Sequence, residues 1–134
     1  MKQPVGYSGK SLAEKLGVKP GDQVLAVDPP AQYADLLAPL PAGAAVRSAA
    51  DAPAIVHAFV PNRSALERLA AELVRKPKPG GALWISWPKK TSPLFVDLTE
   101  DGVRAVMLPT GWVDVKVCAV DADWSGLKFL KRRQ

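Results

Sequence analysis

The chain is poor in the residues that most often carry chemistry. Its 134 residues include one cysteine, Cys118, and one histidine, His57. A single cysteine excludes an internal disulfide and a cysteine-rich metal site. Because Cys118 has apolar neighbours in a predicted strand, we expect it to pack rather than to act as a nucleophile. No Asp–His–Ser or metal-ligand spacing surrounds His57, so we expect a hydrogen-bonded, mostly buried histidine.

Long apolar runs and a strong charge imbalance are also missing. No segment approaches the ~18 apolar residues of a membrane helix, and the first residues lack the apolar centre of a signal peptide. We therefore expect a cytoplasmic protein without membrane contacts. Eighteen Lys and Arg against thirteen Asp and Glu give a net charge of +5, which favours anionic partners. With aromatics at 7% and no recognisable binding motif, nucleic acid is a disfavoured partner.

The chain of 134 residues has the length of one domain, and its 48% of apolar residues is enough for a core. We expect a single α/β domain over residues 1–134. Ser11-Leu12-Ala13-Glu14 and Ser64-Ala65-Leu66-Glu67 have the spacing of a capping box, so each predicts a helix start. Proline and glycine end the last helical pattern at Pro109 and Gly111. The predicted helices cover residues 12–16, 33–37, 64–75 and 99–108.

Short apolar runs separate these helices, and their continuous hydrophobicity is typical of parallel strands covered on both faces. The predicted strands cover residues 24–27, 44–47, 55–60 and 83–87. Apolar and polar residues then alternate from Val113 to Ala119, and Asp121-Ala122-Asp123 forms a three-residue turn before Trp124. The pattern predicts a doubly wound, Rossmann-like α/β fold, with a mostly parallel sheet of about six strands that ends in an antiparallel hairpin.

The loop after the first strand lacks glycine. Rossmann-type sites use a glycine-rich turn there, because its backbone amides approach a phosphate or cofactor. This chain reads Pro29-Pro30-Ala31 instead, and proline has no N–H to offer. Gly9-Lys10-Ser11 resembles the end of a phosphate loop, but Pro4 stands where that motif has its first glycine. Ser11 is better interpreted as a helix cap.

The order of elements resembles class I S-adenosylmethionine-dependent methyltransferases. The resemblance rests on Lys19-Pro20-Gly21-Asp22 before the first strand, Lys78-Pro79-Gly80-Gly81 before the central strand, and the final hairpin. Three features depart from that family: the glycine loop is missing, the second strand ends without the carboxylate that usually holds the cofactor ribose, and Ser48–Ala54 is too short for the usual strand–helix unit. The resemblance thus implies a degenerate cofactor site. No cofactor is predicted, and S-adenosylmethionine is possible but disfavoured.

A narrower resemblance is to the bacterial domain-of-unknown-function family numbered 3052 in its series. Its members look like shortened methyltransferase folds. It implies a fold but no reaction. The residues that carry it are Gly6-Tyr7-Ser8-Gly9-Lys10, Trp87-Pro88-Lys89-Lys90, Asp97-Leu98-Thr99-Glu100, Val115-Lys116-Val117-Cys118-Ala119-Val120-Asp121 and Trp124-Ser125-Gly126-Leu127-Lys128.

Asp28-Pro29-Pro30 resembles the (Asp/Asn)-Pro-Pro-aromatic motif of amino-methyltransferases, but Ala31 replaces the aromatic residue and the motif follows a different strand. The alternative is that Asp28 ends a strand and the prolines stiffen the turn. In either case, a carboxylate at the end of the first strand is well placed for a ligand.

The strongest site candidate is Trp87-Pro88-Lys89-Lys90, which follows the central strand. A three-residue hairpin turn would also pair Lys116 with Lys128, and like charges in that position repel. We expect an acidic group between them: Asp114, another carboxylate or a bound anion. The hypothesis is that one cleft holds all the candidates. They are Asp28, Trp87, Lys89, Lys90, Lys116, Asp121, Asp123, Trp124 and Lys128.

Together these patterns predict a non-catalytic binding or regulatory module with a basic, tryptophan-containing cleft. Its ligand would be an anionic small molecule or an acidic segment of a partner protein. The alternative is a minimal S-adenosylmethionine-dependent transferase with a non-standard cofactor site, in which Asp28 anchors the cofactor. The sequence assigns no catalytic residue and no metal ligand.

Overall fold

The computed structural model describes residues 10–132. Gly6-Tyr7-Ser8-Gly9, which belongs to one of the family-like stretches and to the phosphate-loop comparison, lies outside the described residues, as does Arg133. Four α-helices and six strands follow one another along the described chain. The helices are α1 (Leu12–Leu16), α2 (Tyr33–Leu37), α3 (Arg63–Leu73) and α4 (Glu100–Met107), with a 3₁₀ turn at Leu108–Thr110. The strands are β1 (Gln23–Val27), β2 (Ala45–Arg47), β3 (Ile55–Phe59), β4 (Ala82–Pro88), β5 (Trp112–Ala119) and β6 (Trp124–Lys131).

These strands form one mixed sheet in the order β2-β1-β3-β4-β6-β5. Strands β1 to β4 are parallel, and β6 runs antiparallel to both β4 and β5. The predicted fold class is therefore confirmed. The predicted hairpin register is confirmed too, since Lys116 lies opposite Lys128 and Cys118 lies opposite Gly126.

The first predicted helix start is confirmed and the second is displaced. Ser11 caps α1, and its hydroxyl and the Glu14 carboxylate complete the capping box. The start predicted at Ser64 is wrong, because Asn62 caps α3 and accepts a hydrogen bond from the Ala65 amide at 2.8 Å. Asparagine is as good a cap as serine, and only Val60 and Pro61 separate Asn62 from the end of β3.

Helices cover the sheet on both faces and create two apolar clusters. Leu83, Ile85 and Trp87 of β4 point towards α3 and α4, while Trp84 points towards α1 and α2. This alternation explains why β4 is buried along its whole length. Each fully buried large apolar side chain contributes about 1.5–3 kcal/mol relative to exposure, so both faces stabilise the sheet. Within residues 10–132, no helix has the length and apolar character needed to cross a membrane.

The connection from β2 to β3 contains no helix. Seven residues, Ser48–Ala54, return the chain from the end of β2 to the start of β3. The other two connections between parallel strands contain α2 and α3. The short segment predicted from the sequence is thus confirmed, and it leaves the α3-side face of β1 and β2 without a helix of its own.

Trp84 of β4 joins the sheet to α1 by a single side-chain hydrogen bond, and this contact gives the first prediction. Its fully buried indole Nε1 donates to the Leu16 carbonyl at the end of α1, at 3.1 Å. We expect Trp84→Phe to lower the free energy of unfolding by about 2–4 kcal/mol, because it leaves that carbonyl unpartnered and opens a small cavity. Urea denaturation measures the loss. The matched control is Trp124→Phe at a half-buried position, and equal losses in the two variants would contradict the assignment.

Candidate functional site

The carboxyl ends of the parallel strands form the edge where α/β sheets usually bind ligands. The chain passes from β1 outwards to β2 and then returns to the other side of β1 with β3, so the topological switch point lies between β1 and β3. Asp28 follows β1 there, and Lys89 follows β4 along the same edge. We call this region the carboxyl edge.

The loop after β1 is a rigid turn rather than a phosphate cradle. Asp28 is exposed and has a φ of 52°, a left-handed conformation that aspartate tolerates better than most residues. Pro29 and Pro30 contribute no N–H, and the Pro30 carbonyl accepts a hydrogen bond from the Tyr33 amide at 3.0 Å. The loop therefore ends by placing Tyr33 at the first position of α2.

Tyr33 belongs to a buried polar network with His57 and Ser86. Its hydroxyl lies 2.8 Å from His57 Nδ1, and His57 Nε2 lies 2.7 Å from Ser86 Oγ. A neutral imidazole has one N–H and one lone pair, so one nitrogen donates and the other accepts. The three side chains are at most 3% exposed. The expected hydrogen-bonded, buried histidine is confirmed.

Burial controls the protonation of this network. It lowers the pKa of His57 to about 3 and raises the pKa of Tyr33 above its usual range. Both groups are therefore neutral at physiological pH. Because His57 and Ser86 have no access to solvent, the arrangement is unsuited to a reaction on an external substrate and instead connects α2 to β3 and β4.

Aromatic rings surround the network on the α1–α2 side of the sheet. Phe59 stacks on His57 with a ring separation of 4.4 Å, and its edge contacts with Tyr33 and Trp124 have separations of 5.3 and 5.1 Å. Gly126 lets β6 approach closely, since a Cβ atom there would lie 3.2 Å from Ser86 Oγ. This side of the carboxyl edge is filled by protein.

The hairpin turn is docked onto the loop after β4. The Lys89 amide donates to the Asp123 carbonyl at 2.8 Å, and the Ser92 hydroxyl donates to the Asp123 carboxylate at 2.8 Å. Asp121 accepts from the amides of Asp123 and Trp124, at 2.8 and 2.9 Å. The predicted placement of this turn beside Lys89 is confirmed. Both carboxylates are nevertheless used within the protein, so their first role is structural.

The structure does not place Trp87 in a cleft. The indole is 4% exposed and belongs to the apolar cluster beneath α3 and α4. Because side chains alternate along a strand, Trp87 points to the opposite face from Trp84 and cannot stack on a ligand held by Lys128, which lies opposite Trp84. The expectation that Trp87 contributes an indole to the site is wrong. Lys89 and Lys90 do remain at the carboxyl edge.

Lys116 and Lys128 do not join that edge either. Lys128 lies opposite Trp84 in β4, and Lys89 is five residues further along the chain. At about 3.3 Å per residue, this separates the two backbones by about 16 Å. The single-cleft hypothesis is therefore wrong. The candidates divide into a carboxyl-edge group, a buried Trp87, and a lysine pair nearer the other end of the hairpin.

Asp114 does not compensate the lysine pair. A register irregularity separates it from Lys116, and it lies opposite Phe129, which points to the α3–α4 face. There its carboxylate accepts a hydrogen bond from Arg104 at 2.9 Å, and Arg104 also binds Glu100 at 2.6 Å. The Arg104 guanidinium lowers the pKa of the Asp114 carboxyl. Of the acidic groups expected between the lysines, Asp114 is excluded.

Further lysines gather around this pair instead. Burial lowers the pKa of Lys128, and the charges of Lys116 and Lys19 lower it further. Lys128 Nζ lies 3.6 Å from the position that a Cβ atom would take at Gly17, so it reaches the end of α1. Lys15 and Lys116 act electrostatically on Cys118. We call Lys15, Lys19, Lys116 and Lys128 the lysine cluster.

Cys118 lies half-buried near two members of the lysine cluster, Lys15 and Lys116. Burial raises the pKa of its thiol, and the nearby Lys15 and Lys116 only partly oppose that effect. The thiol is thus poorly suited to nucleophilic attack at neutral pH, in agreement with the packing role expected from the sequence. In the part of the chain that the structure describes, no group of three or more His, Cys, Asp or Glu residues is arranged to hold a metal ion.

A groove of about 520 Å³ lies beside Asp28 on the α3 side of the sheet. Residues 25–29 form one wall and Ser48, Ala49 and Ala50 form another, while Glu72 and Lys76 of the α3 end lie at its far side. It occupies the face that the helix-free β2–β3 connection leaves uncovered. Its volume is within the range of small-ligand sites.

Two parts of these sites do not follow from the motifs considered above. One is the pairing of His57 with Tyr33 and Ser86. A polar serine inside the apolar run 82–87, next to the strand that contains His57, is the sequence signal for Ser86. Lys15 and Lys19 were not connected with Lys116 and Lys128, because their proximity depends on where α1 packs against the hairpin.

Known structures show the same fold. A methyltransferase from Aquifex aeolicus that is described as S-adenosylmethionine-dependent is 13% identical, with a TM-score of 0.61 over 88% of this chain and 86% of that one. The N-methyltransferase NodS from Bradyrhizobium japonicum is 11% identical, with a TM-score of 0.55 over 92% of this chain and 90% of that one. The chain is therefore similar to Rossmann-like class I methyltransferases in fold.

A protein from Bordetella parapertussis that is described as possibly exported is also similar, at 13% identity and a TM-score of 0.63. The match covers 91% of this chain and 65% of that one. No protein-family model matches the sequence, and no curated protein matches it.

The buried imidazole predicts a specific pH dependence. An unfolded His57 binds a proton near pH 6.5, whereas the folded one binds it only near pH 3. Between these values the unfolded state holds more protons, so stability falls as the pH falls. We expect the difference in unfolding free energy between the wild type and His57→Gln to shrink by up to about 1.4 kcal/mol per pH unit below pH 6.5.

Urea denaturation at several pH values measures this difference. The control is Tyr33→Phe, which keeps the imidazole buried and should therefore keep most of the wild-type slope. A difference between the wild type and His57→Gln that stays constant from neutral pH down to about pH 4 would show that the folded protein protonates His57 freely.

Proposed function

We propose that this protein is a non-catalytic binding or regulatory module that uses a methyltransferase-like fold to recognise an anion. The ligand is a small anionic molecule or an acidic segment of a partner protein. The carboxyl edge supports this proposal because its loop offers prolines where a cofactor site would offer amides. His57, which lies beneath that edge, is fully buried and neutral, so it is not available to a ligand there.

The observation that carries the proposal is the direct pairing of Lys116 with Lys128. Opposed residues in an antiparallel pair have Cβ atoms about 4.5–5.5 Å apart, and like charges at that separation destabilise the sheet. Lys19 adds a third charge close enough to lower the pKa of Lys128. An anion between these ammonium groups would remove the repulsion and form charge-assisted hydrogen bonds.

Because the cluster lies on an open hairpin face, the ligand must supply several negative oxygens rather than shape complementarity. Phosphate, diphosphate, citrate or consecutive carboxylates of a peptide meet this requirement. Lys128 is the central residue, since burial has already removed part of its hydration and it reaches the end of α1.

Thermal unfolding at low ionic strength with diphosphate, and separately with an acidic peptide, tests the proposal. A ligand that binds only the folded state stabilises it by about 2.7 kcal/mol at a hundred times its Kd. We expect a saturable stabilisation that Lys116→Gln with Lys128→Gln abolishes. The matched control, Lys89→Gln with Lys90→Gln, removes the same charge at the carboxyl edge and should keep the response.

A second readout uses no ligand. We expect Lys116→Gln alone to raise the free energy of unfolding by about 0.2–1 kcal/mol in low-salt buffer, because it removes the repulsion, and the gain should shrink as salt is added. If the double variant kept the full ligand response, or only the control pair lost it, the lysine cluster would not be the anion site.

A second candidate function is S-adenosylmethionine-dependent group transfer, as in the structural neighbours described as methyltransferases. The groove of about 520 Å³ beside Asp28 favours it, because the groove lies where β1 and β2 end. The Asp28 carboxylate could accept hydrogen bonds from a ligand's hydroxyl or amino groups, and Ser48 stands on the opposite wall. On this interpretation the proline-stiffened turn is a preformed wall of the cofactor site.

Calorimetry with S-adenosylmethionine and S-adenosylhomocysteine tests this candidate. A cofactor site predicts saturable binding that weakens about tenfold or more in Asp28→Asn and disappears in Ala49→Trp, which would fill the groove. Lys116→Gln serves as the control and should bind normally. No heat and no thermal shift at millimolar ligand would reject the candidate and leave the anion-binding proposal unaffected.

A further inference from the structure

A second cavity lies at the opposite edge of the sheet from Asp28. It has a volume of about 700 Å³ and is bounded by the end of α3, the 77–81 link, the start of β5 and the end of β6. We call it the amino-edge pocket. It shares no lining residue with the groove beside Asp28 or with the lysine cluster.

The floor of the amino-edge pocket is apolar. Trp112, Val74 and Leu130 line it, and Trp112 is itself 5% exposed and belongs to the core beneath α3 and α4. Pro77 and Pro79 form a further apolar wall. Such a surface can remove the aromatic or aliphatic body of a ligand from water, which favours binding.

The rim carries charge of one sign. Within the described chain, the residues that line the pocket include Arg75, Lys78, Lys131 and Arg132, and no carboxylate. Arg75 Nε donates to the Ala71 carbonyl at 3.3 Å, which directs the guanidinium beside the end of α3. Four cations around one concavity attract a single negative group more strongly than the same charges dispersed over a surface.

The walls are held by backbone hydrogen bonds. The Lys78 amide donates to the Pro53 carbonyl at 2.9 Å, and the Gly81 amide donates to the Lys78 carbonyl at 2.8 Å. The Arg132 amide donates to the Gly111 carbonyl at 2.8 Å, which joins the end of β6 to the start of β5. A pocket whose walls are fixed before binding costs little ordering entropy when it is filled.

From this geometry we propose that the amino-edge pocket binds a small amphipathic organic anion, with its apolar body on the half-buried Val74, Pro77 and Leu130 and its phosphate, sulfonate or carboxylate at the cationic rim. The apolar floor disfavours inorganic phosphate, which would gain nothing from it. Four cations around one concavity do not form the continuous basic track that a nucleic-acid backbone needs. The site is additional to the anion site proposed above and rests on different residues.

Fluorescence titration of the full chain with anilinonaphthalene sulfonate tests the proposal, because this probe joins an aromatic body to one anionic group. We expect saturable binding with one site per chain. Lys78→Gln with Lys131→Gln should weaken it about tenfold or more, because the variant removes two of the four cations at the rim. Lys89→Gln with Lys90→Gln is the charge-matched control and should stay within twofold.

Five further measurements decide between interpretations. Uncharged phenylnaphthylamine should bind at least tenfold more weakly than the sulfonate, and millimolar inorganic phosphate should not displace the sulfonate. Amide NMR shifts should concentrate at Gly80, Gly81 and Arg132, whereas Lys116→Gln with Lys128→Gln should leave the titration unchanged. Matching thermal unfolding curves for all variants would exclude binding to a partly unfolded state.

Equal affinity of the two charge-matched variants would overturn the proposal. So would equal binding of the uncharged probe, complete displacement by phosphate, or NMR shifts confined to the hairpin. Because the lysine-cluster variant is part of the same series, failure of this pocket and failure of the proposed anion site give different results.

Discussion

The hydrogen-bonded chain from Tyr33 through His57 to Ser86 is the constraint on which the ligand edge depends. It joins α2 to the two central strands inside a dry layer, and every polar atom in it has a partner. An unpartnered polar group in that layer would cost about 1–3 kcal/mol, so Tyr33 must stay in place. The proline turn that delivers Tyr33 is fixed for the same reason. The position of Tyr33 therefore fixes the protein surface on the α2 side of the carboxyl edge. Open α/β sheets generally bind their ligands in a crevice at this edge.

Charged side chains therefore group away from the α2 side of the carboxyl edge: near the start of β5, on the hairpin face and around the amino-edge pocket. Near the start of β5, Arg104 forms ion pairs with three carboxylates, those of Asp114, Glu100 and Asp101. Within residues 10–132, the residues that line the amino-edge pocket include four cations and no carboxylate, and Lys116 lies opposite Lys128 on the hairpin. Part of the net charge of +5 is therefore grouped at these two places.

Local patterns predicted the fold well because each rests on short-range physics. Continuous apolar runs identified the buried parallel strands, and the turn at 121–123 set the pairing of Lys116 with Lys128. The Ser11 cap was also predicted correctly. The cap of α3 was not, because Asn62 and Ser64 are both good caps and only the end of β3 decides between them. The pairing register of the hairpin was thus predicted correctly, whereas the choice between two neighbouring cap residues was not.

The candidate site was predicted less well, because a site depends on which face each side chain takes and how far along its strand it lies. Trp87 follows a central strand as expected, yet it points into the α3–α4 core. Lys128 has the predicted partner but lies about 16 Å from Lys89, since β6 runs antiparallel to β4 and carries it away from the carboxyl edge. The amino-edge pocket, which includes Trp112 and the end of β6, contains none of the site residues that the sequence predicted. The residues that line the pocket are brought together by the pairing of β5 with β6 and by the packing of α3, and neither long-range contact is written in a local motif.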